Sequence, residues 1–169
     1  MDMAEGKPAV SILRELEFEI VKECWNTYVL ADQTRVKGRI ILVKLLADKT
    51  PLFTVSPTGP SQQAAVKPLF TYVFAISAPL NMKGKPGNPP TQEEISTAHL
   101  RGQLVEIVES NEGWNTYRIV ESGETLSVKM NVAYAYRIPG RYDPEGEPLY
   151  IMTHTFSIVP GPRSNLPRP

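Results

Sequence analysis

From Thr125 to Ile138 the chain alternates: Leu126, Val128, Met130, Val132, Tyr134 and Tyr136 fall on one side, and Thr125, Ser127, Lys129, Asn131, Ala133 and Ala135 on the other. A period of two sustained over that length predicts a β-strand with one buried face. Thr34 to Leu46 alternates more loosely and becomes wholly apolar at Ile40-Ile41-Leu42-Val43, which predicts burial on both faces near its end. Turn residues separate these runs from their neighbours. Asn111-Glu112-Gly113 and Ser122-Gly123 mark one part of the chain, and Asp32-Gln33 marks the other.

The pattern gives two four-stranded meanders, one over 17–23, 25–30, 34–46 and 68–78, the other over 100–109, 114–120, 125–138 and 148–159. Glu17 to Cys24 also fits a helical face through Leu13, Leu16, Ile20 and Cys24; its counterpart Gln103 to Glu109 alternates, so strand is preferred. Helix is scarce. Thr91-Gln92-Glu93-Glu94 is a capping-box signature that predicts two or three turns to about His99, and Ser11 to Leu16 is its short equivalent earlier on.

The meanders resemble one another in sequence. Trp25-Asn26-Thr27-Tyr28 recurs as Trp114-Asn115-Thr116-Tyr117. Glu19-Ile20-Val21 matches Glu106-Ile107-Val108 if the second copy has two extra residues, Val36-Lys37 falls beside Val128-Lys129, and Pro68-Leu69-Phe70 is answered by Pro148-Leu149-Tyr150. The order of blocks is the same in both, as a tandem duplication requires. The expected fold is mainly β, with two tandem copies of an antiparallel strand meander forming a pseudo-two-fold barrel or sandwich and one or two short helices. The expected division is a flexible N-terminus over 1–10, a first repeat over 11–80, a mobile Pro/Gly linker over 81–90, a second repeat over 91–159 and a flexible tail over 160–169. The longer connection of the first copy, Ala47 to Val66, reads as a surface loop.

Composition narrows the functions. Sixteen prolines in 169 residues is roughly twice ordinary usage and disfavours long helices. Lysine plus arginine balance aspartate plus glutamate at 18 each, which excludes a strongly cationic nucleic-acid coat. The balance is uneven along the chain: residues 11–80 hold eight basic and six acidic groups, whereas 91–159 hold five basic and ten acidic ones. Cys24 is the only cysteine, so intrachain disulfides and cysteine-based zinc sites are excluded and a reducing compartment is expected. With no signal-like or membrane-spanning apolar run, a soluble, cytoplasmic protein is the expectation, with no membrane contact.

Trp25 and Trp114 suit a stacking platform, but their repetition favours core anchors with Tyr28 and Tyr117 packed nearby, and Asn26 and Asn115 closing a turn or bulge. Arg35, Lys37 and Arg39 fall on one strand face, a candidate contact for an anion or a nucleic-acid backbone, or a solvated ridge guarding an edge. Asp143-Pro144-Glu145-Gly146-Glu147 lacks calcium-loop spacing and reads as a turn. His99 and His154 show no metal-ligand pattern, and no nucleophile motif is present. No cofactor, metal or catalytic residue is expected. The leading expectation is a non-catalytic binding or assembly protein with a protein partner or larger assembly. The alternative is a small β-barrel that binds single-stranded nucleic acid through Arg35, Lys37, Arg39 and nearby aromatics.

Overall fold

The computed structural model describes residues 13–47 and 66–163. Expectations for residues 1–10, for most of the Ala47-to-Val66 connection and for 164–169 lie outside the described residues. The elements in order are β1 (Arg14–Leu16), β2 (Phe18–Lys22), β3 (Asn26–Leu30), β4 (Arg35–Ala47), β5 (Val66–Ser77), a 3-10 turn (Leu80–Met82), α1 (Gln92–Arg101), β6 (Gln103–Val105), β7 (Ile107–Asn111), β8 (Asn115–Ile119), β9 (Glu124–Tyr142) and β10 (Pro148–Arg163). The fold is mainly β, in two antiparallel five-stranded sheets.

Neither sheet is a meander of one half of the chain. In the first sheet β4 pairs with β5 on one side and with β1 and β3 on the other, and β7 completes it against β3. In the second, β9 pairs with β10 on one side and with β6 and β8 on the other, and β2 completes it against β8. Each half therefore lends one strand to the other's sheet. The expected hairpin at Asn111-Glu112-Gly113 does not form; those residues carry the chain from one sheet to the other, as 23–25 do in the opposite direction. Asn111-Glu112-Gly113 looks like a turn in sequence because a crossing, like a hairpin, favours polar and small residues, whereas Glu23-Cys24-Trp25 carries no such signal.

The inner faces pack as a sandwich. Leu16, Ile40, Leu42 and Leu45 meet Tyr117, Ile119, Leu126, Val128 and Met130, while Tyr28, Leu30 and Val36 meet Val105, Ala135, Tyr150 and Met152. Among the described residues the sheets do not close into a barrel. The apolar run Ile40 to Val43 does not bury both faces, since Val43 is exposed. A bulge at Val43, between Leu42 and Lys44, explains the lost alternation, and β9 bulges in the same way at Ala133, opposite Thr153 and His154. The expected helix before the first copy is instead β1 at Arg14–Leu16, with Ser11 outside the described residues.

The register corrects three of the sequence matches. Asn26 faces Gly38 and Asn115 faces Val128, so the position matching Val128-Lys129 is Gly38-Arg39, not Val36-Lys37. Glu17 O and Glu106 O accept from Val120 and Ala31, and Phe18 and Ile107 face Ile119 and Leu30; Glu17-Phe18 thus stands where Glu106-Ile107 does, with no extra residues. Pro68 lies opposite Leu45 and Met152 opposite Ala135, which removes the match of Pro68-Leu69-Phe70 with Pro148-Leu149-Tyr150.

α1 starts at the expected capping box, with Thr91 and Glu94 each accepting from the other's backbone N–H. Its Ala98 packs on Ile138, Leu149 and Ile151, forming a third layer on the second sheet. The segment 81–90, expected to be mobile, is tied along the β9–β10 hairpin. Gly84 N–H donates to Gly146 O (2.9 Å), Gly87 N–H to Asp143 O (3.0 Å), and Lys83 Nζ pairs with the buried Glu147 at 2.6 Å. Asp143-to-Glu147 is the expected turn, its Asp143 carboxylate accepting from the N–H groups of Glu145 and Glu147. β10 continues to Arg163, so the first part of the expected tail is strand.

Candidate functional site

The repeated tetrapeptide sits where the two halves cross. Asn115 Oδ1 accepts from Cys24 N–H at 2.8 Å, and Asn26 Oδ1 accepts from Gly113 N–H at 3.0 Å. Tyr117 donates its hydroxyl to Glu23 Oε1 at 3.0 Å, and Tyr28 donates to Glu112 Oε1 at 3.1 Å. Every one of these bonds joins one half to the other. The asparagines therefore satisfy the orphaned backbone donors of the partner crossing, not a local turn as expected. Asn26 Nδ2 also donates to Met130 O at 3.1 Å.

The motif is thus longer than four residues. Glu23 and Glu112 each stand two positions before the repeated tryptophan, as Glu-x-Trp-Asn-Thr-Tyr, and this was visible in the sequence. Tyr28 and Tyr117 are fully buried, and burial first, then the facing glutamates, pushes both hydroxyls well above the ordinary tyrosine value. They donate, uncharged, to carboxylates.

The tryptophans behave otherwise. Trp25 is 48% exposed and Trp114 38% exposed, so neither is the core anchor expected; the tyrosines take that place. Arg39 stands over the Trp25 ring at 5.6 Å and Lys129 over Trp114 at 5.2 Å. Arg39 alternates with buried Gly38 and Ile40, and Lys129 with buried Val128 and Met130. The cations therefore project from the outer faces of different sheets, and the indoles do not share one stacking platform.

The ridge Arg35, Lys37, Arg39 divides in the same way. Arg35 and Lys37 are exposed on the outer face of β4. Arg39 pairs with Glu23, whose side chain is only 8% exposed, and this links it to the Tyr117 bond. It is part of the crossing and not a free contact.

A second polar cluster joins the β3–β4 turn to β10. Tyr150 donates to Asp32, and Thr34 Oγ1 lies 3.0 Å from the Tyr150 hydroxyl. Burial, then the bond to Asp32, pushes Tyr150 up to about 12. Burial alone would raise the Asp32 carboxyl, but bonds from Tyr150 and Thr34 and the charge of Arg137 together hold it below its ordinary value. Asp32 is fully engaged with these partners and with Arg137 at 3.6 Å, which marks a clamp on the turn.

His99 is exposed on α1, whereas His154 lies among the rings of Tyr72, Phe74 and Phe156 with Nδ1 3.1 Å from Met152 O. Cys24 is a partly buried free thiol at the crossing, with Sγ 3.4 Å from Asn115 Oδ1. Among the described residues no group of three His, Cys, Asp or Glu is placed to hold a metal ion, and no helix is long and apolar enough to cross a membrane. Comparison with protein-family models, with curated proteins and with solved structures finds no match for this chain.

Proposed function

We propose that this chain is a non-catalytic binding or assembly protein, built from one duplicated β-unit, that contacts a macromolecular partner through the outer faces of its sheets. The observation that carries the reading is the division within the repeated motif. Its glutamate, asparagine and tyrosine are engaged internally in both halves, while its indole stands half exposed on an outer face. An exposed tryptophan gives up burial that a folded chain would otherwise gain, and tryptophan is enriched at the centres of interfaces. The shared pairing scheme of the halves and their matching bulges support descent from one unit.

The test is capture from native extract with the intact chain and with a Trp25→Ser/Trp114→Ser variant. A defined species retained by the first and lost by the second is expected. The same species on both, or none on either, overturns the reading.

A nucleic-acid reading keeps one specific support: Arg35 and Lys37 are exposed on the sheet face that also carries Trp25. Anisotropy of a labelled single-stranded oligonucleotide distinguishes the two. Under this reading binding weakens with salt, and an Arg35→Ala/Lys37→Ala variant lowers the log–log slope by about 1 to 2. Arg39 is left intact in that variant because its loss would unpair Glu23. An oligonucleotide that does not bind removes this alternative.

A further inference from the structure

Among the longer strands, β2, β5, β7 and β10 each pair on one side only among the described residues. Their sequences differ in kind. β2 carries Glu19 and Lys22, and β7 carries Glu109. By contrast, β5 and β10 carry charge only at one end, as Lys67 and Arg163, and Pro68 to Ser77 and Pro148 to Pro162 contain no aspartate, glutamate, lysine or arginine. Charged side chains are a usual device for keeping a free sheet edge from pairing with another chain, and prolines blunt an edge only where they stand. Here Pro68, Pro148, Pro160 and Pro162 stand near strand ends and leave the middles open.

These two unguarded edges lie on the same rim of the sandwich. Tyr72 meets His154 with ring centroids 4.2 Å apart, and Phe70 meets Phe156 at 5.7 Å, so β5 and β10 run antiparallel across the seam between the sheets. The rings do not bury one another: Tyr72 is 46% and Phe156 37% exposed. At one end Ile95 of α1 and Pro90 cover the seam over a cavity of about 240 Å³ shared with Phe74 and Leu149. The open stretch is therefore Leu69 to Val73 on β5 and Thr153 to Val159 on β10.

We propose that this rim is a docking surface for a second copy of the chain, joined edge to edge so that each sheet continues into a sheet of the other copy. A single extended peptide would pair one edge and leave the other, with its aromatic seam, still open. The rim calls for a body that presents two uncharged antiparallel edges about 10 Å apart, the ordinary spacing of stacked sheets. The same rim on another copy has that form and matches its lack of charge. The antiparallel run of β5 and β10 makes the surface self-complementary, as a closed two-fold dimer requires. This surface is separate from the outer faces invoked above, and either proposal can fail without the other.

Sedimentation of the full chain over a range of concentrations, with light scattering, tests it. The wild-type chain is expected at twice its 18.8 kDa mass, falling to 18.8 kDa on dilution. Thr71 and Thr155 are exposed at the middle of the rim, so a Thr71→Lys/Thr155→Lys variant sets like charges across the two-fold and is expected to be monomeric, with a single cooperative melting transition that does not depend on protein concentration. Val21→Lys on the guarded edge of β2 is expected to stay dimeric. A wild-type chain that is monomeric throughout, or a dimer indifferent to the Thr71 and Thr155 changes, overturns the proposal.

Discussion

The hydroxyl of Tyr117 reaches out of its own half to donate to Glu23 Oε1 at 3.0 Å, and Tyr28 answers with the same bond to Glu112 at 3.1 Å. Replacing either tyrosine by phenylalanine keeps the ring packing but removes one donor from a half-buried carboxylate oxygen, which at Glu112 still accepts from Val132 N–H at 2.8 Å. Each change is expected to lower stability by about 1–3 kcal/mol in denaturant unfolding. An effect near zero for both would show that these bonds do not hold the halves together.

The same tyrosines set the alkaline limit. Burial raises the hydroxyls of Tyr28 and Tyr117 well above the ordinary tyrosine value, and that of Tyr150 to about 12. Because the folded value exceeds the unfolded one, this contribution is complete below pH 10 and is lost as pH rises through the folded values. Unfolding free energy is expected to decline above about pH 10, and more gently in the Tyr28→Phe/Tyr117→Phe variant. Equal slopes would refute this assignment.

Acid acts at α1. Arg141 donates to both Glu94 oxygens, at 2.7 and 3.1 Å, and with the Thr91 N–H it draws that carboxyl down to about 2 from 4.5. A depressed folded value means stability that is present above pH 4.5 and lost as pH falls toward 2. In melting curves across that window Glu94→Gln should flatten the pH dependence, and Arg141→Ala should flatten it too. A wild-type slope in either variant would count against the pair.

Gly113 has no room for a side chain. A Cβ there would lie 2.5 Å from Cys24 Sγ but 3.6 Å from Cys24 Cβ. Gly113→Ala is expected to cost about 1–3 kcal/mol through overpacking, and Cys24→Ala in the same chain should restore most of it. A double-mutant cycle reads the coupling directly; additive effects would mean the clash is relieved elsewhere.

Glu147 anchors the connector between the halves. Its Oε2 accepts from Ala78 N–H at 2.9 Å, and its Oε1 pairs with Lys83 at 2.6 Å. Glu147→Ala should speed hydrogen exchange at Ala78 and expose the Lys83–Gly84 bond to trypsin. Unchanged cleavage would show that the backbone bonds of Gly84 and Gly87 suffice.

Strand content, the helix start and the repeated tryptophan motif were legible because each rests on local chemistry: alternation, a capping box and an uncommon tetrapeptide. The sheet partners were not. Asn111-Glu112-Gly113 suits a hairpin or a crossing equally well, and only the long-range bonds of Asn26 and Asn115 decide between them. The match of Pro68-Leu69-Phe70 to Pro148-Leu149-Tyr150 misled because composition ignores register: Pro68 pairs with Leu45, whereas Pro148 pairs with Tyr142, beyond the part of β9 that corresponds to β4. The site was half legible. Glu23 and Glu112 recur at fixed spacing, yet nothing local says that their partners lie in the other half, or that Arg39 leaves its neighbours Arg35 and Lys37 to join them.

Because β2 completes a sheet made from later residues, the leading half cannot finish folding as it leaves the ribosome. Its third element, β3, must wait for β7 to cover it, and β2 must wait for β8. Synthesis of this chain therefore passes through an interval in which β2 has no neighbour and β3 has only β4, and it ends only when Ile119 has emerged to pair with Phe18.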